Sequence, residues 1–282
     1  MSHKYKVSIC AIFQNEAKFL KEWIEFHLLV GFDHFYLTND KSTDNYMEIL
    51  APYIQSGQVD LNQSNITLCQ ELGRRLNKQV GEYNRFLPQI KKESEWVITL
   101  DLDEFLYCPD GRNVKDLLAE YKDDLIGAVY VFWQVYGTSK VAEIPKDKLL
   151  IETLVMRSDQ QYDYNKYGKS FIRSAECRCL GIHVHTSTAD TIHVTPDQKP
   201  YKIYTTARDV VDKYVVDVSK VRINHYWTGD EKYWKEVKLP RLIKKSGQYD
   251  PPAANRFPYL NKVEDRSIER YVPALRRAML RK

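Results

Sequence analysis

Apolar residues fall in short runs separated by polar clusters, and the spacing changes character along the chain. Residues 7–13 (VSICAIF) form a near-continuous apolar run, the pattern of a strand buried on both faces. After Gln14, Asn15 and Glu16, the residues Phe19, Leu20, Trp23, Ile24, His27 and Leu28 recur at three- and four-residue spacings, predicting a helix over 16–30 that Gly31 ends. A second strand over 34–38 runs into a polar loop at 39–45, too long for a hairpin. A short helix at 47–53 and a third strand at 58–61 follow. Leu68, Leu72, Leu76, Val80, Tyr83, Leu87 and Ile90 then share one helical stripe, interrupted near Pro88. A fourth strand, containing Val97, Ile98 and Leu100, completes a β-α-β-α-β-α-β order. That order predicts an α/β fold with a mostly parallel sheet and right-handed crossovers. From Gly127 the pattern becomes α+β, with strands expected at 128–135, 171–180, 201–205 and 222–225, continuing the sheet and walling its rim.

The fourth strand delivers Asp101, Asp103 and Glu104 almost at once. Side chains alternate along a strand, so Asp101 and Asp103 are expected on the same side, where they repel each other unless a cation intervenes. Mg²⁺ or Mn²⁺, which take hard oxygen ligands and share them with phosphates, fit that demand. The alternative is a pair of aspartates that merely shape a loop. Open α/β sheets bind ligands beyond the carboxyl ends of their strands. Three polar clusters fall at such ends: Gln14, Asn15 and Glu16; Asn39 and Asp40; and Asp101 with Asp103 and Glu104. Together they make a rim able to hold a nucleotide by its base, its ribose and its metal-bound phosphates.

Composition narrows the class. Twenty Tyr, ten Phe and five Trp in 282 residues, 28% of them charged, describe a globular chain with many amphipathic side chains for grooves. The N-terminus shows no signal-peptide pattern and no later run is long enough to span a bilayer, so a cytoplasmic location is expected. Five cysteines without a CxxC pair argue against a disulfide framework and a structural zinc site. Between Lys262 and Lys282, seven basic residues stand against three acidic ones, which equals the chain's whole net charge of +4. This basic extension, 242–282, could meet an anionic membrane surface at the inner face or a phosphorylated acceptor; otherwise it packs as an amphipathic helix. No basic stripe interleaves with aromatics, so no nucleic-acid partner is expected.

Residues 7–16, the segment 36–40 with Ser42 and Asp44, Tyr83 and Asn84, and the run 101–105 occur in an order that resembles GT-A glycosyltransferases. More narrowly, the chain resembles the family 92 type and the family 2-like group. Trp133, Tyr136 to Ser139, Lys169 to Arg173, residues 181–185 and residues 223–228 extend the resemblance to about Arg241. It implies a GT-A domain over 1–241, with a nucleotide-sugar half (1–110) and an acceptor half (111–241). It also implies a nucleotide-sugar donor, commonly a UDP-sugar, a divalent metal, a glycan or glycolipid acceptor, and an inverting reaction. Carried over by position, Asp40 would contact uracil or ribose, and Asp101 and Asp103 would reach ribose and metal.

The chemistry assigns further candidates. His183, His185 and His225 are the choices for a third metal ligand, with His185 placed nearer an exposed strand end. Lys169 and Arg173 could contact diphosphate oxygens. An inverting transfer needs a carboxylate base, for which Asp163, Asp190, Asp230 and Glu231 qualify, Asp230 first. Trp133, Tyr136 and Trp227 could stack on sugar rings. Two other classes compete: a nucleotidyl or phosphoryl transferase, and a non-catalytic nucleotide- or carbohydrate-binding module.

Overall fold

The computed structural model describes residues 3–65, 78–188, 190–201, 215–240, 243 and 259–280. Strand β1 (Tyr5–Phe13) lies at the centre of the first half, with Val7, Ile9, Cys10 and Ala11 fully shielded, as an apolar run covered on both faces requires. Helix α1 (Ala17–Val30) returns the chain to β2 (His34–Asn39), and α2 (Tyr46–Gln55) to β3 (Val59–Gln63). Gly31, at φ 111°, closes α1 by donating to the carbonyls of His27 and Leu28, the left-handed stop that glycine favours. Helix α3 (Lys78–Glu93) leads into β4 (Ser94–Thr99). It is not interrupted at Pro88, which lies on its exposed side while Leu87 and Ile90 anchor the helix. Leu68, Leu72 and Leu76 lie outside the described residues.

After β4 come β5 (Glu104–Tyr107) and the fully buried β6 (Ile126–Val135). The remaining strands are β7 (Met156–Arg157), β8 (Gly168–Arg173), β9 (Cys177–Cys179), β10 (Thr186–Ser187), β11 (Ile192–Val194), β12 (Pro200–Tyr201), β13 (Arg222–His225) and β14 (Val263–Glu264). The main sheet runs β12-β11-β6-β8-β4-β1-β2-β3. Strands β3, β2, β1 and β4 are mutually parallel; β8 is antiparallel to both β4 and β6. β6 therefore points the same way as β4, and β13, parallel to β6, does too. The sense of β8 decides the site: its start, Lys169, lies at the rim beside the carboxyl ends of β4, β6 and β13, whereas its end, Arg173, pairs with Trp96 at the opposite edge. Of the strand expected at 201–205, only Tyr201 is described.

The described part of the basic extension, 259–280, folds back on this body. Val263 pairs with Arg157, Ile268 and Leu275 are buried, and the C-terminal helix Val272–Met279 packs on α1. Its cations are largely engaged: Arg270 donates to the Pro109 carbonyl at 2.7 Å, Arg276 pairs with Glu152, and Arg266 with Glu264 and Glu269. Over the described residues 259–280 this is the packing that the amphipathic-helix alternative expects. Among the described residues, no helix is long and apolar enough to cross a membrane.

Candidate active site

The turn after β4 sets the centre. The Glu104 N–H closes on the Asp101 carbonyl at 3.0 Å, Leu102 turns into the core, and Asp101 and Asp103 line one cleft of about 580 Å³. Their shared side comes from this turn, not from the strand pleat that the sequence pattern invoked.

Two cations hold the two aspartates. Asp101 accepts from Lys169 Nζ at 2.9 Å and from Gln79 Nε2 at 2.8 Å. The Lys169 side chain is wholly shielded and also stands 3.4 Å from Glu104. Burial pushes the Asp101 carboxyl up, but Lys169 outweighs it and the net direction is down. At Glu104 the contest goes the other way: burial, aided by the Asp101 and Asp103 charges, overcomes Lys169 and pushes the carboxyl up to about 8. Asp103 accepts from Lys238 Nζ at 2.6 Å, and its other oxygen stands 3.5 Å from His225 Nε2. Burial opposes its ionisation, yet Lys238 and His225 hold it well below the usual carboxylate range. Lys238 ends a π-helical turn, Trp234–Lys238, a rare geometry often found at functional sites. At the end of β2, Asp40 pairs with Lys78, and Glu16 accepts from the Tyr233 hydroxyl at 3.2 Å.

Asp103 Oδ1 and His225 Nε2 fit a divalent ion. Ligands about 2.1 Å from one metal at tetrahedral or octahedral angles lie about 3.0–3.4 Å apart, close to the 3.5 Å observed. Among the described residues, no group of three or more His, Cys, Asp or Glu side chains could hold a metal alone. That is compatible with Mg²⁺ or Mn²⁺, which take one or two protein carboxylates and fill their shell with substrate phosphates and water.

The structure brings Glu16, Asp40, Asp101, Asp103, Lys169 and His225 together, with His183 and Trp227 on the same wall. Other candidates are engaged elsewhere. Asn15 accepts from the Thr43 N–H at 2.8 Å, while Asn39 accepts from the Ser42 N–H at 2.9 Å and donates to Gln63 and Tyr46; both residues build loops. His185 is not on a strand but buried after a bend, with Nδ1 accepting from the Gly181 N–H and Nε2 donating to the Ser170 carbonyl. Neither nitrogen is left for a metal. Arg173, at the far edge, donates to the carbonyls of Ile126 and Tyr121 and stacks over Trp96. Asp230 is buried and spends both oxygens on backbone, capping Tyr233 N–H at 2.7 Å and Ile144 N–H at 2.9 Å, which disfavours it as a base. Glu231 pairs with Lys235 on the surface, and Asp163 is exposed beside Lys166. Asp190 precedes β11, whose Ile192 pairs with Ile126 at the far end of β6. Tyr136 is fully buried, its hydroxyl accepting from Asn224, so it offers no stacking face. Lys78, Gln79 and Lys238 escaped the sequence reading. The first two carry a weak signal, the polar side of the α3 pattern; Lys238 carries none.

A parallel α/β half extended by antiparallel strands, with an acidic, lysine-gripped cleft beyond its carboxyl ends, is a GT-A-type architecture. The family model "Glycosyltransferase family 92" matches residues 3–266, and the chain belongs to that family. A family 92 protein of Oryza sativa subsp. japonica is 27% identical over 143 residues, covering 50% of this chain and 23% of its own length. One from Arabidopsis thaliana is 24% identical over 157 residues, covering 52% and 26%. This chain thus spans about a quarter of the length of the curated relatives it matches. Among solved structures, S. aureus TarS 1–349 in complex with UDP is 18% identical, with a TM-score of 0.37 over 60% of this chain and 47% of that one. Glucosyl-3-phosphoglycerate synthase from Mycobacterium tuberculosis, with Mn²⁺, UDP and glucosyl-3-phosphoglycerate, is 14% identical, with a TM-score of 0.34 over 60% and 57%.

Proposed function

We propose that this protein is a metal-dependent glycosyltransferase that moves a sugar from a nucleoside diphosphate donor, a UDP-sugar first among them, to a glycan or glycolipid hydroxyl with inversion. The observation that carries the reading is the pair Asp103 and His225, 3.5 Å apart beside Asp101 in one cleft. Asp103 and His225 would hold the ion, with Asp101 beside them. When bound, that ion neutralises the departing diphosphate. Lys238 and Lys78, also in the cleft, supply further positive charge for phosphate oxygens. Lys169 keeps Asp101 ionised and oriented from behind. Asp40, just beyond β2 and on the cleft wall, would contact the nucleoside. Family membership supports sugar transfer over nucleotidyl transfer.

A panel of nucleotide sugars, each incubated with Mn²⁺ and no acceptor, tests the proposal through slow donor hydrolysis. The expected result is release of nucleoside diphosphate from one uridine-linked sugar, abolished by chelator. Turnover of none, with no binding of any, would remove the reading.

A further inference from the structure

Beside the cleft lies a second cavity, of about 240 Å³, that shares His183, His225 and Trp227 with it. Its other walls are mostly aromatic, from Trp133, Tyr162, Tyr164 and Tyr167, with Val135 and Leu260 completing them. Two of the lining side chains carry a buried polar atom with no hydrogen-bond partner, Trp133 Nε1 and His225 Nδ1, at 9% and 6% residue exposure. Buried polar atoms in native proteins are nearly always paired, so two orphans on residues that line one small cavity favour an occupant able to supply their partners. His183 adds a third group: its Nδ1 faces the Gly168 carbonyl at 3.0 Å and must donate, which leaves Nε2 as an acceptor nitrogen.

Resting on the transferase reading, we propose that this cavity is the acceptor subsite and that it takes one pyranose ring of a carbohydrate. Aromatic walls suit the apolar C–H face of a sugar, and hydroxyls can accept from the Trp133 N–H and from the His225 Nδ1–H, the tautomer fixed when Nε2 holds an ion. A hydrocarbon tail would fill the same walls but leave the polar atoms unpaired. The volume lies below the roughly 300–1,000 Å³ of pockets that take drug-sized ligands, a size for one ring. The rings also lead outward: Tyr167 neighbours Tyr164 at 5.8 Å, Tyr164 neighbours Tyr162 at 5.5 Å, and Tyr162 stacks on Tyr259, itself 56% exposed. The next sugars of a chain would run along this ladder while the innermost ring presents its hydroxyl to the cleft.

The probes are methyl glycosides of glucose, galactose, mannose, xylose and fucose, titrated into the full chain with UDP and Mn²⁺ and read by saturation-transfer NMR. UDP affinity is measured alongside for every protein. At least one glycoside should bind. Trp133→Phe, which keeps a ring and removes the N–H, and Tyr164→Ala, which removes a wall, should each weaken it about fivefold or more, roughly the loss of one neutral hydrogen bond. A wild-type protein that binds UDP but no glycoside, or a glycoside held equally by both variants, would overturn the proposal. A protein that binds the glycoside but not UDP keeps the cavity as a sugar site and instead removes the donor reading.

Discussion

Lys169, wholly shielded from solvent, places its ammonium 2.9 Å from the Asp101 carboxylate. It reaches from the antiparallel strand β8 to the aspartate turn and stands beside both Asp101 and Glu104. Removing it leaves two acidic groups facing each other in a poorly solvated place. Lys169→Met is expected to cost about 3 kcal/mol, the low end for breaking a buried pair, because Asp101 is partly exposed. Equilibrium urea unfolding reads this directly; a loss under about 1 kcal/mol, the size of a surface pair, would contradict it.

Glu104 gives a pH signature. Its folded-state carboxyl is pushed up to about 8, against about 4.3 in an unfolded chain. Between those values the folded protein keeps a proton that the unfolded chain releases, so this group lowers stability as pH rises. Glu104→Gln removes that dependence and should gain on the wild type by up to about 1.4 kcal/mol per pH unit from about pH 5 to pH 8. Comparing the two proteins cancels the opposite contribution of the buried histidines His27, His183, His185 and His193, whose protonation burial suppresses. A stability difference flat with pH would contradict the account.

Asp230 separates structure from chemistry. As the cap of Tyr233 and the acceptor for Ile144 N–H, it should cost about 1–2 kcal/mol when changed to Ala. Loss of a general base would instead slow transfer about 10²- to 10⁴-fold. Asp230→Ala should leave donor turnover within about threefold of wild type, far short of the loss expected for a base. A loss in the base range, in protein shown to be folded, would restore Asp230 to the chemistry.

The same contrast applies to two cations on β8. Arg173 serves the carbonyls of Tyr121 and Ile126 at the far edge, so Arg173→Ala should lower the melting temperature without changing UDP affinity. A weakened UDP affinity in folded protein would put Arg173 back at the donor site.

The parallel half of the sheet was legible because its strands are apolar throughout and its helices carry a clear stripe: Val7, Ile9 and Ala11 cannot lie anywhere but between layers. Asp101, Asp103 and Asp40 were legible for a related reason, since a parallel sheet puts whatever follows its strands on one rim. The sense of β8 was not. Nothing local in residues 168–173 distinguishes up from down, yet that sense decides that Lys169 joins the site and Arg173 does not. His185 misled because a residue pattern read as a strand is a bend, in which His183 faces the cleft and His185 the core. Lys238 lies 135 residues beyond Asp103 and is brought to it by a π turn, a contact that only tertiary packing creates.

On the proposed reading, Asp103 and His225 secure a cation on which the donor's diphosphate depends. Calorimetric binding of UDP to the wild type and to Asp103→Asn, each with Mn²⁺ and with chelator, tests it most directly. Tight binding is expected only for wild type with Mn²⁺, and at least about tenfold weaker binding once Asp103 is changed. UDP bound equally well by both proteins, or unaffected by chelator, would contradict it.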